Sequence, residues 1–533
     1  MWSGNDVLSQ SDRDNIRLFK WQMMSHTTRR AYEQLRFALR DRLPLDSQYI
    51  ILRRIALLTG VKPRYYDCCV NSCMAYTDKY LHHQYCEYCN EPRLDSKGKP
   101  RRRFCYLPLI PRLQGFFQKS KLISKMSYRA EYKSEPGKIA DVFDGAHYQR
   151  LRRHRVVVDG EKLPYQYFSD PRDIALSLCT DSYLLYKRRR KGPSATPILI
   201  QNYNLPPEIR TRLSNLICLG VIPGPNQPKD MESYLSPLDD ETAELALGVP
   251  TFDAKEQTMF DMHAYLIFKL GDIIAIQKFL GIKGVNAIVP CRSCNIIGVR
   301  GNGKTYYVPL QPPLDLPIDT NHVTYDAANL PLRTHKEFKD VLAQITAAPT
   351  KAKKEKIAKA HGIRCYPALR RVGCLDYAHS FPWEWFHLFL ENILQNLVNL
   401  WTGQFKGLDS GDEDYEITPH IWELVGEETA AAVQHIPSTF VRVLSNIASD
   451  RSQFTAESWC FWFIYLAPIL LQGRFKKKKY YNHMCQLVDL MKIMLRLQVT
   501  TAEITIIKNG LCEWVQRYEQ CVIYTMLVAR PID

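Results

Sequence analysis

Residues 174–185 read IALSLCTDSYLL and residues 263–275 read HAYLIFKLGDIIA. The first is a short apolar run carrying Asp181. The second holds the apolar run Tyr265 to Leu270 and ends at Gly271-Asp272. Runs of this length, closed by turn residues, read as buried strands. Between them lie two more such runs, Ile198 to Tyr203, stopped by Pro206-Pro207, and Leu216 to Ile222, stopped by Pro223-Gly224-Pro225. Leu238 to Leu247 reads as a helix. Three strands, a helix and a further strand fit an α/β sheet domain.

Working outward, residues 1–60 read as a helical N-terminal segment, with apolar spacing at Ala31, Tyr32, Leu35, Ala38 and Leu39. Residues 61–107 form a cysteine-rich module, and residues 108–170 a basic connector. The sheet domain then runs in a first part over 171–284. Residues 285–380 interrupt it with a CxxC, a proline-rich stretch and a lysine-rich helix near Lys351 to Lys359, as an insertion would. Residues 381–533 read as mostly helical.

The 533 residues are 46% hydrophobic and 24% charged, an ordinary globular balance that excludes disordered and collagen-like classes. The formal charge of +16 favours polyanionic partners, because neutralising phosphates releases counterions. The charge is clustered. KGKPRRR contains Arg101, Arg102 and Arg103, RLRRHR contains Arg152 and Arg153, and KRRRK spans Lys187, Arg188, Arg189, Arg190 and Lys191. A lysine run covers Lys476 to Lys479. Single runs of this kind usually face solvent, but their recurrence suits DNA contact, and KRRRK suits nuclear import. The polar N-terminus lacks the apolar core of a secretory signal. The most apolar stretch, Trp459 to Leu471, is too short to span a bilayer and reads as a buried helix. An intracellular setting makes the 16 cysteines thiols and metal ligands rather than disulfides.

Cys69-x3-Cys73 and Cys86-x2-Cys89 are two close pairs twelve residues apart, the soft donor set that tetrahedral structural zinc requires. Cys68, His82 and His83 are alternative ligands. A second pair, Cys291-x2-Cys294, supplies half a site, with His335 as the third ligand and His322, His361 and His379 competing for that role. On the helix Trp383 to Trp401, Glu384, His387, Glu391 and Gln395 make one polar stripe on an otherwise apolar surface. The stripe is either a wet face or a set of acids bound to a cation. Gly298 to Thr305, GVRGNGKT, matches the phosphate-loop pattern, which would make the chain an NTPase. The mechanism needs a helix starting near Gly303, and Tyr306-Tyr307-Val308-Pro309 does not start one.

Taken in order, these pieces resemble the large transposase of CACTA (En/Spm)-type elements in the form found in mushroom-forming fungi. The resembling blocks include YDCCVNSCMAYT (66–77), CEYCNEPR (86–93), DVFDGAHY (141–148), YFSDPRDIALSLCTD (167–181) and NYNLPPEIR (202–210). The series continues through VIPGPNQPKD (221–230), HAYLIFKLGDIIA (263–275), PCRSCNI (290–296), RTHKEF (333–338), LWTGQFKGLD (400–409) and FTAESW (454–459). The resemblance implies an RNase H-like catalytic core with a zinc-binding insertion. A helical N-terminus and a small four-cysteine zinc module would precede that core, and helices would follow it.

By the same resemblance the catalytic carboxylates are Asp181, in Thr180-Asp181-Ser182, then Asp272, and Glu391, in the His387 to Asn392 stretch. They would hold two Mg²⁺ (or Mn²⁺) ions for strand cleavage and strand transfer, alongside structural Zn²⁺. The implied partners are DNA, as element ends and target, a second DNA-binding protein from the same element, and a homo-oligomer on DNA. No membrane is implied, and the location would be the nucleus. Ser182 stands where the family has glycine, and Glu384 where it has aspartate. The family continues in further helical blocks where CVIYTMLVARPID ends this chain, so the sequence reads as a truncated copy. Two alternatives stay open besides the NTPase. One is an inactive remnant acting only as a zinc-supported DNA-binding protein. The other is a plain structural zinc protein.

Overall fold

The computed structural model describes residues 8–185, 194–301, 304–307, 310–311, 323–405, 413–441 and 444–520. The basic run Lys187 to Lys191, His322 and the final CVIYTMLVARPID lie outside the described residues. The chain divides into two compact units. One comprises Met1–Ala130, Asp170–Leu176 and Ser182–Tyr265. The other comprises Glu131–Ser169, Ser177–Asp181 and Leu266–Asp533.

The first unit opens with three capped helices, α1 (Gln10–Met24), α2 (Arg29–Ala38) and α3 (Gln48–Thr59). Ser9, Thr28 and Ser47 each accept a hydrogen bond from the first turn they precede. The sheet strands are β1 (Arg64–Asp67), β2 (Arg103–Tyr106), β3 (Ile174–Cys179), β4 (Ser194–Asn202), β5 (Ile217–Pro223) and β6 (Ala264–Leu270). Their order across the sheet is β1-β2-β5-β4-β3-β6, with Tyr183–Leu184 pairing with β4. Along β1-β2-β5-β4 each strand is antiparallel to its neighbour. Tyr203 N–H donates to Ala175 O, and the Ser182 and Thr196 hydroxyls meet at 2.6 Å, so β3 and β4 run in opposite senses. Between β5 and β6 lies α4 (Met231–Leu247), capped by Asp230. Its buried Glu241 accepts from the N–H groups of Leu109 and Ile110 and from the Tyr106 hydroxyl, which satisfies a charge that would be costly if unpaired.

The last residues of β3 and β6 fall in the second unit. Helix α5 (Ile273–Leu280) follows β6 and ends at Gly281 in the left-handed region. The helical pair α6 (His335–Ala347) and α7 (Lys351–His361) comes next. A π-helix, Phe386–Ile393, then runs directly into α8 (Leu394–Trp401). With α9 (Pro419–Ala432), α10 (Lys478–Met494) and α11 (Thr501–Tyr518), α8 closes an apolar core around Leu394, Trp401, Trp462, Phe463, Met484 and Met491. The stretch from Trp459 to Leu471 is helical and packed into that core, as its composition predicts. Among the described residues no helix is long and apolar enough to cross a membrane.

The phosphate-loop pattern lacks the helix its mechanism needs, as its flanking residues predict. Lys304–Tyr307 is a strand, antiparallel to Val299–Gly301 with Gly301 opposite Lys304, where that mechanism requires a helix. The region expected as a connector, 108–170, holds short helices and the hairpin Arg155–Val158 with Glu161–Gln166.

Candidate metal centre and carboxylate cluster

In the first unit the chain between β1 and β2 folds into two tight hairpin turns. Cys69 N–H donates to Met74 O, and Cys86 N–H to Glu91 O, both at 2.9 Å. Ser72 and Asn90 take positive φ of 66° and 56° to close these turns. Each turn presents two sulfurs, and the four sulfurs of Cys69, Cys73, Cys86 and Cys89 lie within 4.8 Å of one another. Zinc bonded to sulfur at about 2.3 Å places its ligands about 3.8 Å apart, so the cluster has the right size. Asn71 N–H donates to Cys69 Sγ at 3.3 Å and the Asn71 amide to Cys89 Sγ at 3.6 Å, bonds that favour thiolate. Without a metal, burial pushes the Cys86 thiol up to about 11. Burial also raises Cys89, but the Glu91 N–H and the Asn71 amide outweigh it and bring that thiol to about 7. Donor set, spacing and burial all fit Zn²⁺. Cys68, His82 and His83 are not part of the group.

The cluster is tied to the sheet unit rather than projecting from it. Cys73 O accepts from the N–H groups of Lys229 and Asp230, and Ser233 Oγ accepts from Ala75 N–H. The Tyr80 hydroxyl donates to Asp230 Oδ2 at 2.8 Å, and the Tyr234 hydroxyl to Met74 O at 3.2 Å. Sequence patterning set this segment ahead of the core. Its flanking strands, β1 and β2, instead form one edge of the sheet.

In the second unit, Thr180 N–H donates to Leu270 O, and in the first unit Ile174 N–H donates to His263 O. Residue numbers rise together along both strands, so β3 and β6 are parallel. Neighbouring strands lie about 4.8 Å apart, and Asp181 and Asp272 leave the same end of this pair. Gly271 is required at that point. A Cβ there would stand 3.0 Å from Thr180 O and 2.9 Å from Ala275 Cβ. Asp181 is exposed, while Asp272 is half-buried and caps α5 by accepting from Ala275 N–H at 2.6 Å. The Ser182 hydroxyl lies 2.6 Å from that of Thr196, so its side chain has space beside Asp181.

Glu391 is exposed on the π-helix, 3.9 Å from His387 Nε2. On the other side of that ring, His387 Nδ1 lies 2.6 Å from Glu384 Oε2. Glu384 also accepts from the N–H groups of Phe386 and His387. Glu384 raises the His387 pKa most, burial opposes it, and the charges of Glu391 and Asp181 add to the rise. Cys179, at the end of β3, is raised by burial first and then by Asp181 and Glu384. Asp181, Glu384, His387 and Glu391 therefore share one electrostatic neighbourhood. Asp181, Asp272 and Glu391 are not a group with all ligand atoms within 4.8 Å; among the described residues only the four cysteines are.

The second CxxC does not gather its expected third ligand. Cys291 and Cys294 pair with each other, a hydrogen bond that lowers Cys291 to about 6 and raises Cys294. His335 Nδ1 accepts from Tyr377 N–H, and its ring packs on Tyr377. Of the competitors, His361 offers its carbonyl to Arg333, and His379 Nδ1 lies 3.0 Å from Asp376. Among the basic residues, Arg101 pairs with Glu91 at 2.6 Å and Arg103 lies 3.7 Å from Asp67. Arg102 is half-buried, and Arg152 and Arg153 are exposed. Sequence reasoning missed a polar network in which buried His147, Ser380 and Asp376 meet the exposed Arg150. Its members stand up to 233 residues apart, so no local spacing signals it.

Residues 158–323 match the model of the Transposase family tnp2. That stretch holds Asp181, Asp272, Cys291 and Cys294, and neither Glu391 nor the four-cysteine cluster. No curated protein matches the chain.

Proposed function

We propose that the chain is a DDE-type DNA transposase of a CACTA-like mobile element, acting in the nucleus on element ends and target DNA. The observation that carries the reading is the pair of aspartates leaving one end of two adjacent parallel strands, inside the tnp2-family match. The C-terminal ends of parallel strands are where open α/β sheets bind ligands. Three antiparallel strands, a helix and a fourth strand parallel to the first also support an RNase H-like core.

In this reading Asp181, Asp272 and Glu391 hold two Mg²⁺ or Mn²⁺ ions. Hard carboxylate oxygens suit these cations, which when bound supply Lewis-acid polarisation of a phosphodiester. Asp272 is oriented beforehand by the Ala275 N–H, and Glu384 fixes the His387 ring beside Glu391. The reaction is hydrolysis of a phosphodiester at the element end, leaving a 3′-hydroxyl, then attack of that hydroxyl on a target phosphodiester, which joins the element end to the target 5′-phosphate and releases the target 3′-hydroxyl, so that one P–O bond forms as another breaks. A homo-oligomer and a second DNA-binding protein from the same element would assemble on the DNA.

One observation favours a second reading, a remnant that binds DNA without cutting it: the three carboxylates are not drawn within 4.8 Å of one another. The test is Mg²⁺- or Mn²⁺-dependent nicking of duplexes carrying the element's ends, with Asp181→Ala and Asp272→Ala in parallel. Nicking abolished by both substitutions is expected. DNA binding with no nicking in the unaltered chain refutes the transposase reading in favour of the remnant.

A further inference from the structure

Residues 350–362, in the second unit, read TKAKKEKIAKAHG. They form α7 with both ends closed. The Thr350 hydroxyl accepts from Lys353 N–H at 3.2 Å, and Gly362 ends the helix at a φ of 68°. Ala358, only 3% exposed, and half-buried Ile357 turn inward. At 3.6 residues per turn, Lys353, Lys356 and Lys359 fall on the opposite face, with only Ala352 and Ala360 between them. These five residues, and Lys351 and Lys354, are all exposed.

The charge of this face is not balanced inside the chain. The helix carries one acid, Glu355, which lies 2.7 Å from Lys283 Nζ. Lys351 and Lys359, one turn to either side, act on that carboxylate only through space. Among the described residues none of the five lysines of α7 forms an ion pair. Basic runs elsewhere are tied down, Arg101 by Glu91 and Lys477 by Asp414. Lys351, Lys353 and Lys354 also crowd the first turn, the positive end of the helix dipole, where cations are disfavoured. Lys353, Lys356 and Lys359 repel one another at three-residue spacing. An external polyanion reverses each of these costs, and the small alanines let it approach closely.

Lys351 and Lys359 stand about 12 Å apart along the helix axis. A duplex carries about seven phosphates in that length, three or four of them on one strand, which matches the lysines in number. The end of α7 is joined to α5, the helix that Asp272 caps. Lys283 N–H donates to Gly362 O at 2.8 Å, and Arg364 N–H to Gly281 O at 2.7 Å. The length of α5 and these short turns put that end within about 25 Å of Asp272, or roughly seven base pairs. Resting on the transposase reading, we propose that α7 is a phosphate rail. Lys351, Lys353, Lys356 and Lys359 hold the sugar–phosphate backbone of the duplex that flanks the scissile position.

The test compares the full chain with two quadruple variants, Lys→Gln and Lys→Arg at positions 351, 353, 356 and 359. Each binds two fluorescent duplexes, one carrying the element's end and one unrelated, without divalent metal and across a range of KCl concentrations. The slope of log K against log[KCl] should fall by about 3.6 in the glutamine variant, 0.9 for each phosphate freed. Affinity at 0.1 M salt should drop at least tenfold for both duplexes alike, because phosphate contacts carry no sequence information. The arginine variant should keep slope and affinity. Glutamine has nearly the helix propensity of lysine, so the thermal midpoint should not move. A fall of less than half that size overturns the proposal, and is what an acidic protein partner in place of DNA predicts. An equal fall in the arginine variant also overturns it, as does failure of the unaltered chain to bind either duplex. Nicking with Mg²⁺ is read separately. Nicking with an unchanged slope in the glutamine variant removes the rail and keeps the transposase reading, whereas a lysine-dependent slope without nicking does the reverse.

Discussion

Replacing Cys86 by serine removes one of four soft ligands from a segment that has almost no other means of folding. Its apolar interior is Met74, Tyr76 and Tyr80 packed on the cysteines themselves. Structural zinc contributes about 10–16 kcal/mol in small modules, as much as the roughly 5–15 kcal/mol by which whole domains are stable. The loss cannot stay local. β1 and β2 run into and out of the segment, β2 pairs with β5, and the turn at Cys73 is bonded to the chain entering α4. Losing even half of the zinc contribution should lower the unfolding midpoint by on the order of 10–20 °C. The assay is metal content per chain with scanning calorimetry, and hydrogen exchange read on α4 and β2. One zinc per chain is expected before the substitution and none after, with protection falling in both elements. A zinc-free Cys86→Ser chain with an unchanged midpoint would refute the reasoning. The cysteines would then be small buried apolar groups and nothing more.

Two further predictions concern the second unit. Burial, aided by the Arg150 charge, lowers the His147 pKa from 6.5 to about 4, with Asp376 opposing. The unfolded chain takes up a proton near pH 6.5 and the folded chain does not, so stability is lost as pH falls from about 6.5 to about 4, by on the order of 3 kcal/mol. Urea unfolding between pH 7 and pH 4.5 should show that slope and lose it in His147→Asn; equal slopes would refute the assignment. Asp376, held low despite burial by His379, by the Ala378 N–H and by Arg150, adds acid sensitivity only below its ordinary value of 3.8. The acids of the π-helix should separate by role. Glu391→Gln, at an exposed site, should abolish metal-dependent nicking while shifting stability by less than about 0.5 kcal/mol. Glu384→Ala removes the acceptor for two N–H groups at the helix start and should cost about 1 kcal/mol. Nicking by Glu391→Gln at the unaltered rate would remove Glu391 from the site.

What could be read from sequence divides by the range of the interaction that fixes it. The apolar runs around Asp181 and Asp272 are local signals, and each became a strand in the expected place, as did the helix before β6. Four cysteines in two tight pairs carry their geometry in their spacing, since a short turn can present two sulfurs to one point. His335 had no such support. A single histidine forty-one residues beyond Cys294 has its surroundings set by tertiary packing, and here Tyr377 takes its Nδ1. The phosphate-loop pattern shows how the flanks decide. Its eight residues specify composition, while the mechanism depends on the helix that must follow, and Lys304–Tyr307 is a strand. The polar stripe on 383–401 assumed 3.6 residues per turn. The π geometry of Phe386–Ile393 widens the turn, and His387 comes to lie between Glu384 and Glu391. Such wide turns occur often at functional sites, and no helical periodicity in the sequence announces one. Arg292 is the extreme case. In sequence it is the residue inside a CxxC, and only its burial against Trp383, ninety-one residues onward, shows a guanidinium with donors to spare. The features that local patterning reads well are those that build the scaffold. The stripe of Glu384, His387 and Glu391 is legible because it repeats along one helix, whereas the contacts of His147 with Ser380 and of Arg292 with Trp383 join residues brought together only by folding.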